Sequence, residues 1–320
     1  MTYKQKIIFL GSTAVFLTLV YALTLILDPA RIKARNDRFT WLSAVSREEA
    51  DKIEITRSED KVELVQKNGV WYVLLESIEI PARQGRVDDL FRLLTNRGSF
   101  PRRGSSAAGH SALGLDGSSR LVIRGGAGIP LLDLFVGIDD PSGKEVFLRK
   151  NGENEFRSGD RLIGSYVNGE RTTWYNLRLF EERTISQVQR IQVLFSGYKG
   201  LEIQDDEEPP VDYRDFTITR NGENWVMDGI ILDRDKTEAW IQDILEAHGD
   251  DVLTADDLSS FFDPIARIRV ELGDGSVLDL QIEKAGQNGK SPVIVSGKPY
   301  LFVLPQRTVI RLLRETGHFL

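Results

Sequence analysis

Two stretches of this chain repeat one another: Lys67-Asn-Gly-Val-Trp71 and Arg220-Asn-Gly-Glu-Asn-Trp225. Each follows an alternating apolar/polar run, Val62-Glu-Leu-Val65 in one case and Phe216-Thr-Ile-Thr219 in the other. Alternation with period two is the mark of a strand with one buried face. Asn-Gly between two such runs signals a hairpin, because both central residues of a type I′ turn need positive φ. Each Asn-Gly is therefore expected at a hairpin tip, with each tryptophan packed under its sheet. A chain that contains this hairpin twice is constrained to two related, mainly antiparallel units.

The flanking segments extend the repeat. In the first copy, Ile53-Glu-Ile55 and Val62-Glu-Leu64 read as strands, and Trp71-Tyr-Val73 as the returning strand. Val87, Leu90, Phe91 and Leu94 then fall at i, i+3, i+4 and i+7, one face of a helix. A Gly/Ser-rich stretch, 103–109, leads to a hairpin of Arg120–Arg124 and Leu131–Val136 around Gly125–Gly128. A strand pair surrounds Asn151-Gly152, and Asp160–Tyr166 reads as a short closing helix. The second copy is read from Thr173-Trp174. Ile191-Gln-Val193 matches Ile53-Glu-Ile55, Trp240, Ile241, Ile244 and Leu245 supply the helix face, and Ile268–Leu272 with Val277–Leu280 repeats the second hairpin. Pro292–Val295 and Tyr300–Val303 form the last strand pair, and Gln306–Arg314 the closing helix. Capping-box spacing predicts helix starts at Ser46 (with Glu49) and at Asp235 (with Glu238).

Ahead of these units, Ile7–Leu27 is an uncharged apolar run. At 1.5 Å per residue it spans about 30 Å, the hydrocarbon thickness of a bilayer. It is longer than the apolar core of a signal peptide and ends in Leu25-Ile-Leu-Asp-Pro without a small-x-small cleavage site, so it reads as an uncleaved anchor contacting lipid. Basic residues flank it on both sides: Lys4 and Lys6 before, Arg31, Lys33, Arg35 and Arg38 after. The positive-inside rule alone does not orient it. A short N-terminal tail favours the amino terminus inside and the body outside the cytoplasm. The fold expectation is thus α+β, a single N-terminal transmembrane helix followed by two tandem, mainly antiparallel α+β units. The expected divisions are 1–38 for anchor and basic flank, 39–171 for the first repeat and 172–320 for the second.

Charge and residue types narrow the function classes. The chain carries −7 overall, but residues 1–38 carry +4 and the remainder −11. An acidic body lacks the basic face that non-specific nucleic-acid binding needs. With no cysteine, disulfides, thiol catalysis and thiolate metal sites are excluded. Gly109-His-Ser-Ala-Leu-Gly114 resembles a nucleophile elbow, yet Leu113 stands where glycine is required, so Ser111 reads as a loop residue. Arg124-Gly-Gly-Ala-Gly128 resembles a phosphate loop, but a strand follows it instead of a helix. Asp233-Arg-Asp235 resembles the start of a calcium loop, but Glu238 and Ile244 occupy the positions that need Gly and Glu. His110, His248 and His318 show no ligand-like spacing and read as exposed loop or tail residues. Asp205-Asp-Glu-Glu-Pro-Pro210 reads as a solvated acidic insert between two strands. No catalytic, cofactor-binding or metal residue is nominated.

The arrangement as a whole resembles a bacterial family catalogued as domain of unknown function 4340. The resemblance lies in the anchor, the Ile53-Glu-Ile55 strand, Val62–Trp71 with its hairpin, Ile80-Pro-Ala82 leading into the helix, and Asp160-Arg-Leu-Ile163. It implies a non-enzymatic accessory subunit in the bacterial cytoplasmic membrane. The implied partners are an ABC transporter permease and ATPase and a gliding-motility-type auxiliary protein. Ile231-Leu-Asp233 stands in the second copy where the first has Pro81-Ala82. Two alternatives stay open: an envelope hydrolase with its site in the inter-repeat cleft, and a cell-wall or glycan-binding scaffold that uses aromatic stacking faces.

Overall fold

The computed structural model describes residues 11–21, 37, 39–42, 45–58, 60–95, 99–117, 119–198, 213–254, 264–286 and 289–320. The chain separates into two compact units, the first ending at Trp174 and the second beginning at Tyr175; the short segment Leu75–Ile80 clusters with the second unit, although its strand pairs in the first sheet. Each is an α+β unit built on one nine-stranded antiparallel sheet.

The first unit runs β1 (Ala50–Arg57), β2 (Asp60–Lys67), β3 (Val70–Leu75), β4 (Ile78–Pro81), α1 (Gln84–Thr95), β5 (Arg102–Gly104), β6 (Ser119–Gly125), β7 (Pro130–Asp139), β8 (Glu145–Lys150), β9 (Phe156–Asp160) and α2 (Arg161–Asn168). The second runs β10 (Val188–Phe195), β11 (Phe216–Asn221), β12 (Asn224–Met227), β13 (Ile230–Ile231), α3 (Arg234–Leu245), β14 (Asp251–Leu253), β15 (Pro264–Leu272), β16 (Val277–Glu283), β17 (Lys290–Val295), β18 (Leu301–Pro305) and α4 (Gln306–Leu312). The strand order is β4-β3-β2-β1-β6-β7-β8-β9-β5 in the first sheet and β13-β12-β11-β10-β15-β16-β17-β18-β14 in the second. The two orders are the same topology, so the repeat read from the hairpins extends to every strand.

Register repeats as well. Ile53 faces Leu64 on one side and Ile123 on the other; Ile191 faces Ile218 and Val270. A bulge interrupts β1 between Ala50 and Lys52 and β10 between Val188 and Arg190, each against the end of its neighbour. Ile53, Ile55, Leu64, Leu121 and Ile123 are buried, as are Ile191, Val193, Ile218, Ile268 and Val270. Each helix following the first meander buries the face its periodicity predicts: Val87, Leu90, Phe91 and Leu94 in α1, and Trp240, Ile241, Ile244 and Leu245 in α3. The end of each unit returns to the start of its first helix. The Arg83 amide donates to the Trp174 carbonyl (2.8 Å), and the Asp233 amide to that of Phe319 (2.9 Å). Trp174 and Phe319 each end a 3₁₀ turn and are fully buried.

Three local expectations are corrected. No helix starts at Ser46: its hydroxyl donates to Glu48 (2.6 Å), and the chain turns directly into β1. Helix α3 is capped by Asp233, whose carboxylate accepts from the Lys236 amide (3.0 Å), while Glu238 pairs with Arg234 at 3.0 Å. The second Asn-Gly is not a type I′ tip. In the first hairpin Lys67 faces Val70, and Asn68 (φ 52°) and Gly69 (φ 80°) are both left-handed. In the second, Asn221 is itself paired with Asn224, leaving Gly222-Glu223 as the loop, with Gly222 (φ 61°) alone left-handed, the φ pattern of type II′. The second stretch has one more residue between its glycine and its tryptophan. A one-residue slip would turn Trp225 to the wrong face, so the turn shifts and the tryptophan keeps its register.

Of the expected membrane span 7–27, residues 11–21 are described; they form a helix exposed along its whole length. Residues 7–10, 22–27, the basic flank and the acidic tract 205–210 lie outside the described residues. Among the described residues no helix is long and apolar enough to cross a membrane.

The turn shift is testable by denaturation. Asn68→Gly should be nearly neutral, because Asn68 already holds a positive φ. Asn221→Gly should cost about 0.5–1 kcal/mol, because it loosens a paired strand residue. Trp225→Ala should cost about 3–5 kcal/mol by emptying a core position. Equal effects of the two Asn→Gly changes would contradict the turn assignment.

Candidate functional site

Three polar constellations stand out, and each is read within its own unit. In the first unit, β9 carries Arg157, which is 5% exposed, and its guanidinium gathers four acceptors. It reaches the Asp37 carboxylate (2.5 Å) and carbonyl (3.2 Å), the Phe100 carbonyl (3.2 Å) and Glu155 (2.6 Å). It also lies 5.2 Å from the Trp41 ring centroid. Lys150 on β8 donates to the Trp41 carbonyl (2.7 Å) and lies 5.1 Å from the same ring. Burial pushes the Lys150 ammonium below its ordinary pKa. These bonds fasten the chain segment at Asp37–Leu42 to the sheet; they use up the donors that a ligand would need.

The second constellation is the nearest approach to a serine–base pair. Ser158 on β9 donates to Glu145 on β8, and Arg103 on β5 donates to the Ser158 hydroxyl (2.8 Å) while pairing with Glu145. Ser158 is completely buried. Burial pushes the Glu145 carboxyl up, but the hydrogen bonds from Ser158 and Arg103 outweigh it and hold it below its ordinary pKa. A buried hydroxyl that accepts from Arg, next to a weakened base, is a structural lock and not a nucleophile.

The third is a groove of about 420 Å³ in the second unit, lined by His248, Gly249, Asp250, Pro305, Arg307, Thr308 and Arg311. The turn ahead of β14 supplies the first three, and the β18–α4 corner the rest. Arg311 contacts Asp243 at a long 3.3 Å, and Lys290 contacts Asp250 at 3.5 Å.

Of the residues singled out in the sequence, the exposed His248 lines the groove; the other described motifs do not join these constellations. Ser111 sits in a 3₁₀ turn and donates to Asp116 (3.2 Å). Gly126–Gly128 is the turn of the β6–β7 hairpin. His110 is a correction: it is 9% exposed, not free in a loop, with Nε2 2.9 Å from the Asn154 carbonyl. His318 is half-buried, and burial pushes its pKa down. Among the described residues no three His, Asp or Glu side chains converge to hold a metal ion. The phenols of Tyr198 and Tyr300 are pushed up to about 12 by burial and stay protonated at neutral pH.

Sequence reading passed over a duplicated ion pair. Arg120 on β6 grips Asp133 on β7 with two bonds (2.7 and 2.5 Å), and Arg267 on β15 grips Asp279 on β16 in the same way (2.8 and 2.5 Å). In both units the aspartate lies diagonally, facing the residue two beyond the arginine. The alternation of β6–β7 and β15–β16, followed on the outward face instead of the core face, would have shown it. Arg120 holds the Asp133 carboxyl below its ordinary value of 3.8.

No protein-family model, curated protein or solved structure matches this chain.

Because Asp133 has a lower pKa folded than unfolded, its contribution is complete above about pH 4 and is lost as pH falls through the folded value. Urea midpoints measured from about pH 5 down to about pH 2 should therefore fall less steeply for Asp133→Asn than for the parent chain. An identical slope would remove this pair from the acid response.

Proposed function

We propose that this chain is a membrane-anchored, non-enzymatic envelope subunit. Residues 7–27 act as its single span, with the amino terminus inside and the two units outside the cytoplasm. The observation that carries this reading is the uncharged run whose described middle, residues 11–21, is a helix exposed all round. Phe16 and Tyr21 are 65% and 66% exposed there. A helix that presents apolar side chains on every side, without packing on its own protein, is stable in an apolar solvent. The Arg157 clamp on Asp37 supports the same reading, since it ties the segment following the anchor to the first sheet.

The partner belongs to the proposal. The resemblance described above points to an ABC transporter permease and ATPase with a gliding-motility-type auxiliary protein. The duplicated sheets would serve as the binding body for such a partner or for an exported substrate. The hydrolase alternative draws no support from the buried Ser158–Glu145 contact. The glycan alternative needs a row of exposed rings; among the described aromatic residues beyond residue 21, Phe39 alone is exposed.

The test is affinity purification from mildly solubilised native membranes. An ABC ATPase and permease should co-purify stoichiometrically; recovery of the chain alone, under conditions that preserve a known membrane complex, overturns the accessory role. Orientation has its own test, because the chain has no cysteine. Ser105→Cys, on an exposed loop position, should react with a membrane-impermeant maleimide in intact cells. Labelling only after lysis would place the body in the cytoplasm.

A further inference from the structure

The two copies differ sharply at one place in an otherwise repeated architecture. The β5–β9 pairing sets Arg102 against Arg157, and the β14–β18 pairing sets Val252 against Phe302. From these registers, and from the matched closing residues Trp174 and Phe319, the groove positions can be transferred between copies. Arg307, Thr308 and Arg311 stand where the first unit has Leu162, Ile163 and Tyr166. Asp250 stands where it has Phe100. In the first unit Ile163 and Phe100 are buried and Tyr166 packs on Trp174 (5.9 Å), so apolar and aromatic side chains occupy that corner. In the second unit the same corner is open and lined by polar side chains.

Two of these side chains have unused hydrogen-bonding capacity. Thr308 is 4% exposed and lines the groove, and its hydroxyl makes no hydrogen bond among the described residues. The hydroxyl is not sealed from solvent, so it is available to whatever occupies the groove. The Arg307 guanidinium likewise has no ion pair or hydrogen bond among the described residues. Arg311 is held by Asp243 through one long contact, so most of its five donors remain available. The carboxylate that lines the groove, Asp250, faces Lys290. An acidic protein thus lines this groove with Arg307 and Arg311 against the single carboxylate of Asp250, which is itself paired with Lys290.

We propose that this groove binds an anionic group of the phosphate or carboxylate class, with Arg307 and Arg311 as paired guanidinium donors and the Thr308 hydroxyl completing the contact. Planar guanidinium groups match the oxygen spacing of both anions, often through two parallel bonds. The second copy has become a recognition module, and the first retains the apolar and aromatic corner. The source of the anion, a free phosphate, a carboxylate or a lipid headgroup, is separated by the test.

The full chain in nanodiscs of neutral phosphatidylcholine is titrated calorimetrically with pyrophosphate and with citrate. A parallel series measures binding of the nanodisc-held chain to phosphatidylglycerol vesicles. Saturable binding of at least one of these three probes is expected, and Arg307→Gln and Arg311→Gln should each weaken it about tenfold or more. Thr308→Val should weaken it about threefold, through the loss of a neutral donor. Leu162→Gln, at the corresponding exposed position of the first unit, should leave it unchanged. Response to pyrophosphate assigns phosphate, to citrate alone a carboxylate, and to the vesicles alone a lipid headgroup. No saturable binding of any probe, or binding that Arg307→Gln and Arg311→Gln leave unaltered while melting temperatures also stay constant, overturns the proposal.

Discussion

Everything in each unit depends on which face of the sheet a residue meets, and that is set by the two-residue period of the strand. A shift of one residue would exchange the core and solvent faces of a whole strand. The paired registers of Ile53 and Ile191 with their neighbours put an aliphatic ladder on one face of each sheet. The tryptophans of β3 and β12 then fall on that same face, at 0% and 1% exposure. The second hairpin shows which constraint dominates. The turn gives up its Asn-Gly geometry and the strand keeps its register, because a misdirected tryptophan costs several times more than a less favoured turn. The helices follow from this: α1 (Val87, Leu90, Phe91, Leu94) and α3 (Thr237, Trp240, Ile241, Ile244) each lay an i, i+3, i+4, i+7 face on a surface the sheet has already made apolar.

The outward faces carry the opposite chemistry, but they are ordered too. Lys52 bridges Glu54 and Glu63, and the repeated Arg120–Asp133 and Arg267–Asp279 pairs cross from strand to strand. Each exposed pair contributes little by itself. Their value lies in position: a diagonal pair forms in one register only, so the outer face reinforces the choice made by the core. Retention of the same diagonal pair in both copies fits a duplication in which register was the property kept.

Much of this was legible in the chain because it depends on local periodicity. The hairpins, the buried faces of α1 and α3 and the closing helices all follow from residues a few positions apart. What escaped depends on distance. The strands β5 and β14 are three residues long and pair with β9 and β18 across long stretches of sequence, too short to show alternation. The clamp of Arg157 on Asp37 joins residues 120 positions apart. The Ser46 and Asp235 capping boxes had the right spacing, yet Glu48 takes the Ser46 hydroxyl and Asp233 reaches the first turn of α3 sooner. His110 gave no sign of burial, because its partner is the carbonyl of Asn154 on a different loop. The groove was invisible for a related reason: Arg307 and Arg311 look like surface residues of a closing helix until the approach to β14 is placed beside them.

The groove also bears on what a duplicated body is for. Had both copies served only as a scaffold, their corners would be free to stay alike, since apolar packing there stabilises either unit. Having Thr308 in place of the buried Ile163, and Arg311 in place of the ring-packed Tyr166, gives up apolar packing, which lowers stability by about 1–2 kcal/mol. A loss of that size is a large part of a domain's net stability. A group bound to the folded state at these donors would offset it, because binding to the folded state adds to its stability. In the first unit Arg157 clamps the segment at Asp37, and in the second the corresponding corner is a polar groove; the proposed recognition of an anion there would give the two copies different work.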